Sequence, residues 1–217
     1  MSKYRGVIFD VDGVLIDSEP LHYKALTYVS RDLGWHIDDE ANQNMLGLSL
    51  SDVFHKLQMY KKISISYSEW AEKTHKYYLN NLQPNMIRPG VRQVINLLVN
   101  ANIPFAFVSS AEKIIVEANL RKIRLINDVA FYISKEDVKQ TKPFPDPYLL
   151  AVDKLGLNSS ECIAVEDTSI GLCSAKRAGL TTVAFPHAMT VPYPKDAADY
   201  VVSKIESFPW SNLFSCG

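Results

Sequence analysis

The sequence predicts an α/β protein, a doubly wound parallel sheet with a small helical block inserted after its first strand. Three observations point there. Short apolar runs lack the polar alternation of half-exposed strands, so they read as strands covered on both faces. Helical patterns fall between most of these runs, as a parallel sheet requires. Residues 15–86 break that rhythm, with helical periodicity but no convincing buried strand.

In chain order, Val7-Ile8-Phe9 forms the first predicted strand and runs into Asp10. The helical block follows. Ser18-Glu19-Pro20 opens a helix that carries Leu21, Ala25, Tyr28, Val29 and Leu33 on one side and stops at Gly34. Ser49-x-x-Asp52 and Ser66-x-x-Glu69 have capping-box spacing and open two more helices. The chain returns near Pro84 to Pro89, and Pro89-Gly90 starts a helix with Val91, Val94, Ile95, Leu98 and Val99 at three-to-four spacing. The remaining predicted strands are Phe105–Val108, Ile163–Val165, Thr182–Phe185 and Tyr200–Val202. Between them lies a helix through Tyr148, Leu149, Val152 and Leu155 that ends at Gly156, a natural left-handed stop. The stretch Pro186–Pro194 reads as a long loop. Residues 1–14 and 87–217 thus form the predicted core, and 15–86 a cap over the carboxyl edge of the sheet. Trp35, Trp70, Tyr77 and Tyr78 are assigned to the cap's own core or its interface.

A chain of 217 residues suffices for one well-buried domain with a smaller insertion. With 47% hydrophobic and 22% charged residues, disordered and fibrous classes are excluded. A net charge of −1 provides no global attraction for nucleic acid or an anionic membrane, so a bound anion needs a local cluster. Cys162, Cys173 and Cys216 are odd in number and lack metal-ligand spacing, which suits reduced thiols. Cys162 and Cys173 read as buried structural thiols. The first apolar run is too short for a signal peptide, and no window reaches the length of a membrane span. The expectation is a soluble, cytoplasmic protein, a monomer or weak homodimer.

In open α/β sheets, ligands bind outside the carboxyl ends of the strands. After the first strand stands Asp10-Val11-Asp12-Gly13-Val14. A strand puts both carboxylates on one side, and Gly13 allows a sharp turn. After the second come Ser109 and Ser110, suited to an anion ahead of a helix N-terminus. Lys142-Pro143 follows later, and Glu166-Asp167 ends the Ile163 strand. Gathered at one edge, these carboxyls repel: two unit charges about 4 Å apart cost about 4 kcal/mol at an effective dielectric near 20. One lysine does not balance four, so a divalent cation or a bound proton is expected. Oxygen-only ligands point to Mg²⁺ rather than Zn²⁺.

The ensemble resembles the haloacid dehalogenase superfamily, in its phosphotransferase branch with a helical cap. Asp10-Val11-Asp12-Gly13-Val14, Ser109, Lys142 and Glu166-Asp167 match its four motifs in order. The flanks Asp17-Ser18-Glu19-Pro20-Leu21-His22, Lys142-Pro143-x-Pro145-Asp146 and Glu166-Asp167-Thr168-x-x-Gly171 are similar to β-phosphoglucomutase and its phosphatase relatives. The likeness spans residues 5 to about 202. It implies that Asp10 attacks phosphorus and that Asp12 is the general acid, then the base, with its pKa above that of Asp10. It implies that Ser109, Ser110 and Lys142 hold phosphoryl oxygens. It further implies a Mg²⁺ site made by Asp10, the Asp12 backbone carbonyl, Asp167 and Glu166, and a small phosphorylated metabolite as substrate. Dehalogenases of that superfamily lack the second aspartate, so Asp12 makes phosphorus the target.

His22 is read evenly as a substrate-orienting residue or an exposed helix histidine. In the mutase branch an arginine follows a Gly-Val-Ser turn in the cap. Gly47-Leu48-Ser49-Leu50 has leucine there, which removes a charge-assisted clamp for a second phosphate and favours a phosphatase over a mutase. Lys73, Lys76 and Arg88 are the substitutes available. A non-catalytic scaffold of the same fold is the competing class, and the presence of Asp10, Asp12 and Lys142 argues against it. The isomer of the Lys142–Pro143 bond is open at this level.

Overall fold

The computed structural model describes residues 4–62, 64–189 and 196–210. Strand β1 (Gly6–Asp10) is entirely buried and leads into four helices: α1 (Glu19–Arg31), α2 (Asp39–Gln43), α3 (Leu50–Tyr60) and α4 (Tyr67–Asn81). The chain then alternates through α5 (Val91–Asn100), β2 (Phe105–Val108), α6 (Lys113–Lys122), β3 (Tyr132–Ile133) and α7 (Asp146–Leu155). It closes with β4 (Cys162–Glu166), α8 (Ser169–Arg177), β5 (Thr181–Ala184) and β6 (Tyr200–Val201). All the pairings are parallel, in the order β3-β2-β1-β4-β5-β6.

Successive side chains of a strand point to opposite faces, and both faces here are covered. Val7 and Phe9 join one core cluster with Val94, Ile95, Leu98 and Leu120, while Ile8 joins a second with Tyr148, Ala151 and Val152. Ile163 and Val165 of β4 share the first cluster, and Cys162 and Ala164 the second. That two-sided burial is why these strands carry continuous apolar runs. The register aligns Asp10 with Val108 and Phe9 with Val165, so Asp10, Ser109 and Glu166 emerge at one edge. The strand order reverses between β1 and β4, the place where open sheets form a ligand crevice.

The four inserted helices have a core of their own, with Leu26, Ile37, Met45 and Leu57 around an aromatic cluster. Trp35 meets Trp70 edge-on at 6.1 Å between ring centroids, and Phe54 lies 5.3 Å from Trp70. The inner sides of α1 and α4 contribute Leu21, Ala25 and Tyr78 to the main core instead, joined by Leu82 just past α4. Ile16 bridges antiparallel to Ile87, so the chain leaves and re-enters the sheet side by side. The capping spacings are half realised. Ser49 and Ser66 each accept from the predicted backbone N–H, at Asp52 and Glu69, but the Asp52 carboxylate turns to the Ser49 hydroxyl and Glu69 to Lys73.

Several expectations are corrected. Tyr200 and Val201 are exposed on an edge strand rather than covered on both faces. Tyr28, Val99 and Leu149 are exposed, outside the buried stripes of their helices. Cys162 is buried, but Cys173 is only partly so, and Cys216 lies outside the described residues. Strand β3 was not expected: two residues are too few to show a period. Of the Pro186–Pro194 loop, residues 190–195 lie outside the described set. Among the described residues no helix is long and apolar enough to cross a membrane.

Candidate active site

At the carboxyl end of β1 the Lys142 ammonium donates to Asp10 Oδ1 and, at 2.6 Å, to Glu166 Oε1. Tyr148 donates its hydroxyl to that same Glu166 oxygen. Lys142 is almost fully buried, and its bond to Pro143 is cis. A buried ammonium is tolerated only when paired, and here two carboxylates share it. Both the Asp10 and Asp167 side chains are buried alongside. Close packing of this corner needs glycine twice. A Cβ on Gly13, whose φ is 75°, would fall 2.0 Å from Asp167 Oδ2, and one on Gly171 would fall 2.1 Å from the Glu166 carboxylate.

Asp10, Glu166 and Asp167 each offer an oxygen within 4.8 Å of the others. Burial, above all, pushes the Asp10 carboxyl well above its usual range; Lys142 opposes this, and Glu166 and Asp12 add to it. Burial also raises Asp167, reinforced by the charges of Asp10, Glu19 and Glu166. Three buried carboxylates against one ammonium leave an excess of negative charge. An oxygen-only donor set of this size and charge fits a hard divalent cation such as Mg²⁺. Lys142 and Tyr148 both occupy Glu166 Oε1, and Lys142 also reaches Asp10 Oδ1.

Asp12 is placed differently from its neighbours. Its carboxylate does not join the three-carboxylate cluster but turns toward α1 and α6. Oδ1 accepts from Ser18 Oγ at 2.8 Å and Asn119 Nδ2 at 3.0 Å, and lies 3.2 Å from His22 Nε2. Oδ2 accepts from Ser109 Oγ at 3.0 Å. Burial pushes the group up, but the hydrogen bond and charge of His22, with Ser18 and Ser109, outweigh it and hold Asp12 below its usual range. The expected order, Asp12 above Asp10, is therefore reversed in this arrangement, because the donors gather on Asp12 and the like charges on Asp10.

Ser109 and Ser110 follow β2 as expected. Ser109 Oγ is engaged, donating to Asp12 and accepting from the Ala111 N–H. Ser110 Oγ is buried with no hydrogen-bond partner among the described residues. A buried hydroxyl left unsatisfied costs free energy, so its presence beside Asp10 and Lys142 fits a ligand oxygen.

His22 is not an exposed helix histidine: it contacts Asp12 and stacks on Tyr78 at 4.3 Å. Burial lowers its pKa, but the hydrogen bond and charge of Asp12 raise it further, for a net increase. These groups line a cleft of about 100 Å³ whose wall on the side of the inserted helices includes Leu26, Met45, Leu46, Leu50 and Val53. None of the basic residues considered as substitutes for Leu50 lines it. Lys73 pairs with Glu69 on the surface, and Lys76 is exposed. Arg88 donates to the carbonyls of Gly13, Phe185 and Pro186 and lies 3.5 Å over the Phe185 ring.

Sequence reasoning missed five participants. Ser18 was read as a helix start, and its hydroxyl instead donates to Asp12. Glu19 is buried and raised to about 7, mainly by burial. Tyr148 was read as an apolar face residue. Glu112 lines the cleft and pairs with Lys135 at 3.1 Å. Asn119 had a readable signal: it sits at helical spacing among Ile115, Val116 and Leu120, a polar residue on an apolar face.

Known proteins are similar to this chain in sequence and fold. A family model described as haloacid dehalogenase-like hydrolase matches residues 7–185. Beta-phosphoglucomutase of Bacillus subtilis is 26% identical over 82% of this chain and 82% of its own. Fructose-1-phosphate phosphatase YqaB of Escherichia coli is 27% identical over 83% of this chain and 96% of its own. The crystal structure of beta-phosphoglucomutase from Clostridium difficile superposes with a TM-score of 0.85, covering 97% of this chain and 95% of that one at 23% identity.

Proposed function

The chain belongs to the haloacid dehalogenase-like hydrolases, and on that premise we propose that it is a Mg²⁺-dependent phosphatase of a small phosphate monoester. Residues 15–86 act as its cap. The observation that carries this reading is the Lys142 ammonium shared by Asp10 and Glu166 at the carboxyl end of the central strand.

Asp10 is the nucleophile. Lys142 opposes the burial that raises its carboxyl and later neutralises phosphoryl oxygens. One Asp10 oxygen bonds phosphorus as the ester oxygen leaves, and Asp12, which must take up a proton against the donors that favour its ionised form, donates that proton to the leaving oxygen. Water then attacks the aspartyl phosphate, gives its proton to Asp12 and restores Asp10. Ser109, Ser110 and Lys142 hold the phosphoryl oxygens, the free Ser110 hydroxyl being the clearest vacant donor. Mg²⁺ would be held by Asp10, the Asp12 carbonyl and Asp167, with Glu166 in support, and would neutralise charge on the transferring group. His22 orients the substrate side of Asp12. Cytoplasmic placement belongs to the same proposal and rests on the free thiols of Cys162 and Cys173.

The cap wall favours hydrolysis over mutation. A bisphosphate intermediate needs a cation at its second phosphate, and the Leu50 side of the cleft offers aliphatic carbon. The mutase reading survives on one observation, the likeness to beta-phosphoglucomutase across most of the chain. A panel of phosphate monoesters with Mg²⁺, read as released phosphate and run beside Asp10→Asn, tests the proposal. Including β-glucose 1-phosphate with its bisphosphate separates hydrolysis from isomerisation. Turnover by Asp10→Asn near the wild-type rate would reject the mechanism.

A further inference from the structure

We propose that Asn119 is a positioning residue that directs the acid–base proton to one oxygen of Asp12, and that Tyr78 of the cap holds Asn119 in place. This rests on the acid–base role proposed for Asp12 above.

Asn119 is fully buried on the apolar side of α6. A primary amide in that setting is costly unless both ends are bonded. Both are: Nδ2 donates to Asp12 Oδ1 at 3.0 Å, and Oδ1 accepts from the Tyr78 hydroxyl at 2.8 Å. The two partners fix the amide's orientation, since the ionised carboxylate only accepts and the amide nitrogen only donates.

The consequence falls on Asp12. Ser18, His22 and Asn119 crowd Oδ1, whereas among the described residues only Ser109 reaches Oδ2. Three donors stabilise negative charge on Oδ1 and one stabilises it on Oδ2, so the proton is favoured on Oδ2, and each donor lost from Oδ1 narrows that preference. In the first step the bond from phosphorus to the leaving oxygen breaks and the bond to Asp10 forms. The proton passes from Asp12 Oδ2 to the leaving oxygen, and the resulting carboxylate keeps its three donors on Oδ1. In the second step Oδ2 takes a proton from the attacking water as the Asp10–phosphorus bond breaks. Removing Asn119 takes one donor from Oδ1 and lets the carboxyl rotate or protonate on the wrong oxygen.

Tyr78 belongs to α4, is buried, and also stacks on His22. Two of the three donors to Oδ1 therefore lean on one residue of the inserted helices. Hydrogen-bonded buried amides of this kind hold a neighbour's geometry with little slack.

The test compares two substrates with Mg²⁺. An aryl phosphate with an acidic phenol departs without needing a proton, and an alkyl phosphate departs only with one. For Asn119→Leu we expect kcat/KM on the alkyl ester to fall about tenfold or more, and on the aryl ester by less than about threefold. Tyr78→Phe should shift both in the same direction by less, and it decides the matter if Asn119→Leu fails to fold by thermal melting. Asp12→Asn runs alongside and should show the same selectivity more strongly. If Asp12→Asn is selective for the alkyl ester while Asn119→Leu and Tyr78→Phe slow both esters equally or neither, the positioning role is overturned. If Asp12→Asn itself discriminates nothing, the acid–base reading fails and this inference with it.

Discussion

Tyr67, on a helix of the inserted block, donates its hydroxyl at 2.5 Å to the carboxylate of Glu112, which precedes α6 in the sheet domain. Lys135 reaches the same Glu112 oxygen at 3.1 Å, and His75 Nε2 lies 3.4 Å from the other oxygen. The seam over the cleft is thus tied by a charged, partly buried group. Burial pushes Glu112 up, yet His75, Tyr67 and Lys135 together bring it down to about 2. A carboxyl depressed by folding contributes stability above its unfolded pKa and loses it as pH falls through the folded one. That window runs from about 4.5 down to about 2. Glu112→Gln should flatten the acid arm of the stability curve there, with at most about 3 kcal/mol at stake near neutrality. Urea unfolding followed from pH 2 to 7 for both proteins checks it, and parallel curves would remove the seam's electrostatic role.

The three-carboxylate corner makes the opposite prediction. Asp167 is raised by burial and by Asp10, Glu19 and Glu166, so folding favours its protonated form. Such a group destabilises the fold increasingly as pH rises above its unfolded value and through its folded one. Without divalent ions, Asp167→Asn should therefore melt about 3 °C or more above wild type at pH 7, with the gap closing toward pH 4. Mg²⁺ should reverse the order by stabilising wild type in proportion to its binding. Scanning calorimetry with EDTA and with Mg²⁺ measures both halves.

The central strands were legible because burial on both faces leaves a long apolar signature at Val7–Phe9 and Ile163–Val165. Tyr200 and Val201 carry the same composition but line an edge, and composition does not report what covers a strand. The strand ends at Asp10 and Glu166 and the loops bearing Ser109 and Lys142 were legible because parallel strands deliver their carboxyl ends to one side. The surroundings of Asp12 were not. Ser18, His22 and Asn119 come from two helices far apart in sequence, and only the fold sets them on one oxygen. The order of the Asp10 and Asp12 pKa values was misjudged for that reason.

Leu50 begins α3 and faces the cleft, where a cation would bind a second phosphate. Leu50→Arg should tighten inhibition by a sugar bisphosphate about tenfold or more, the scale of one charge-assisted contact. Hydrolysis of monophosphates that carry no charge at the end away from the phosphate should change by less than about threefold. Competition kinetics with matched mono- and bisphosphates give the comparison. Equal inhibition by both would mean that this wall does not meet the substrate's far end.

Ser110 offers a trade between folding and binding. Its hydroxyl is buried without a partner among the described residues, a cost borne by the free protein. Ser110→Ala removes that polar atom and little volume, so the protein should become more stable by about 1 kcal/mol. The same change deletes a donor from the proposed phosphate cradle, and inorganic phosphate should bind about fivefold or more weakly by titration. A serine whose hydroxyl serves folding alone would give the reverse: stability would fall and phosphate affinity would hold. Stability and affinity moving in opposite directions is therefore the signature that distinguishes a ligand-facing serine from an ordinary one in a helix-leading turn.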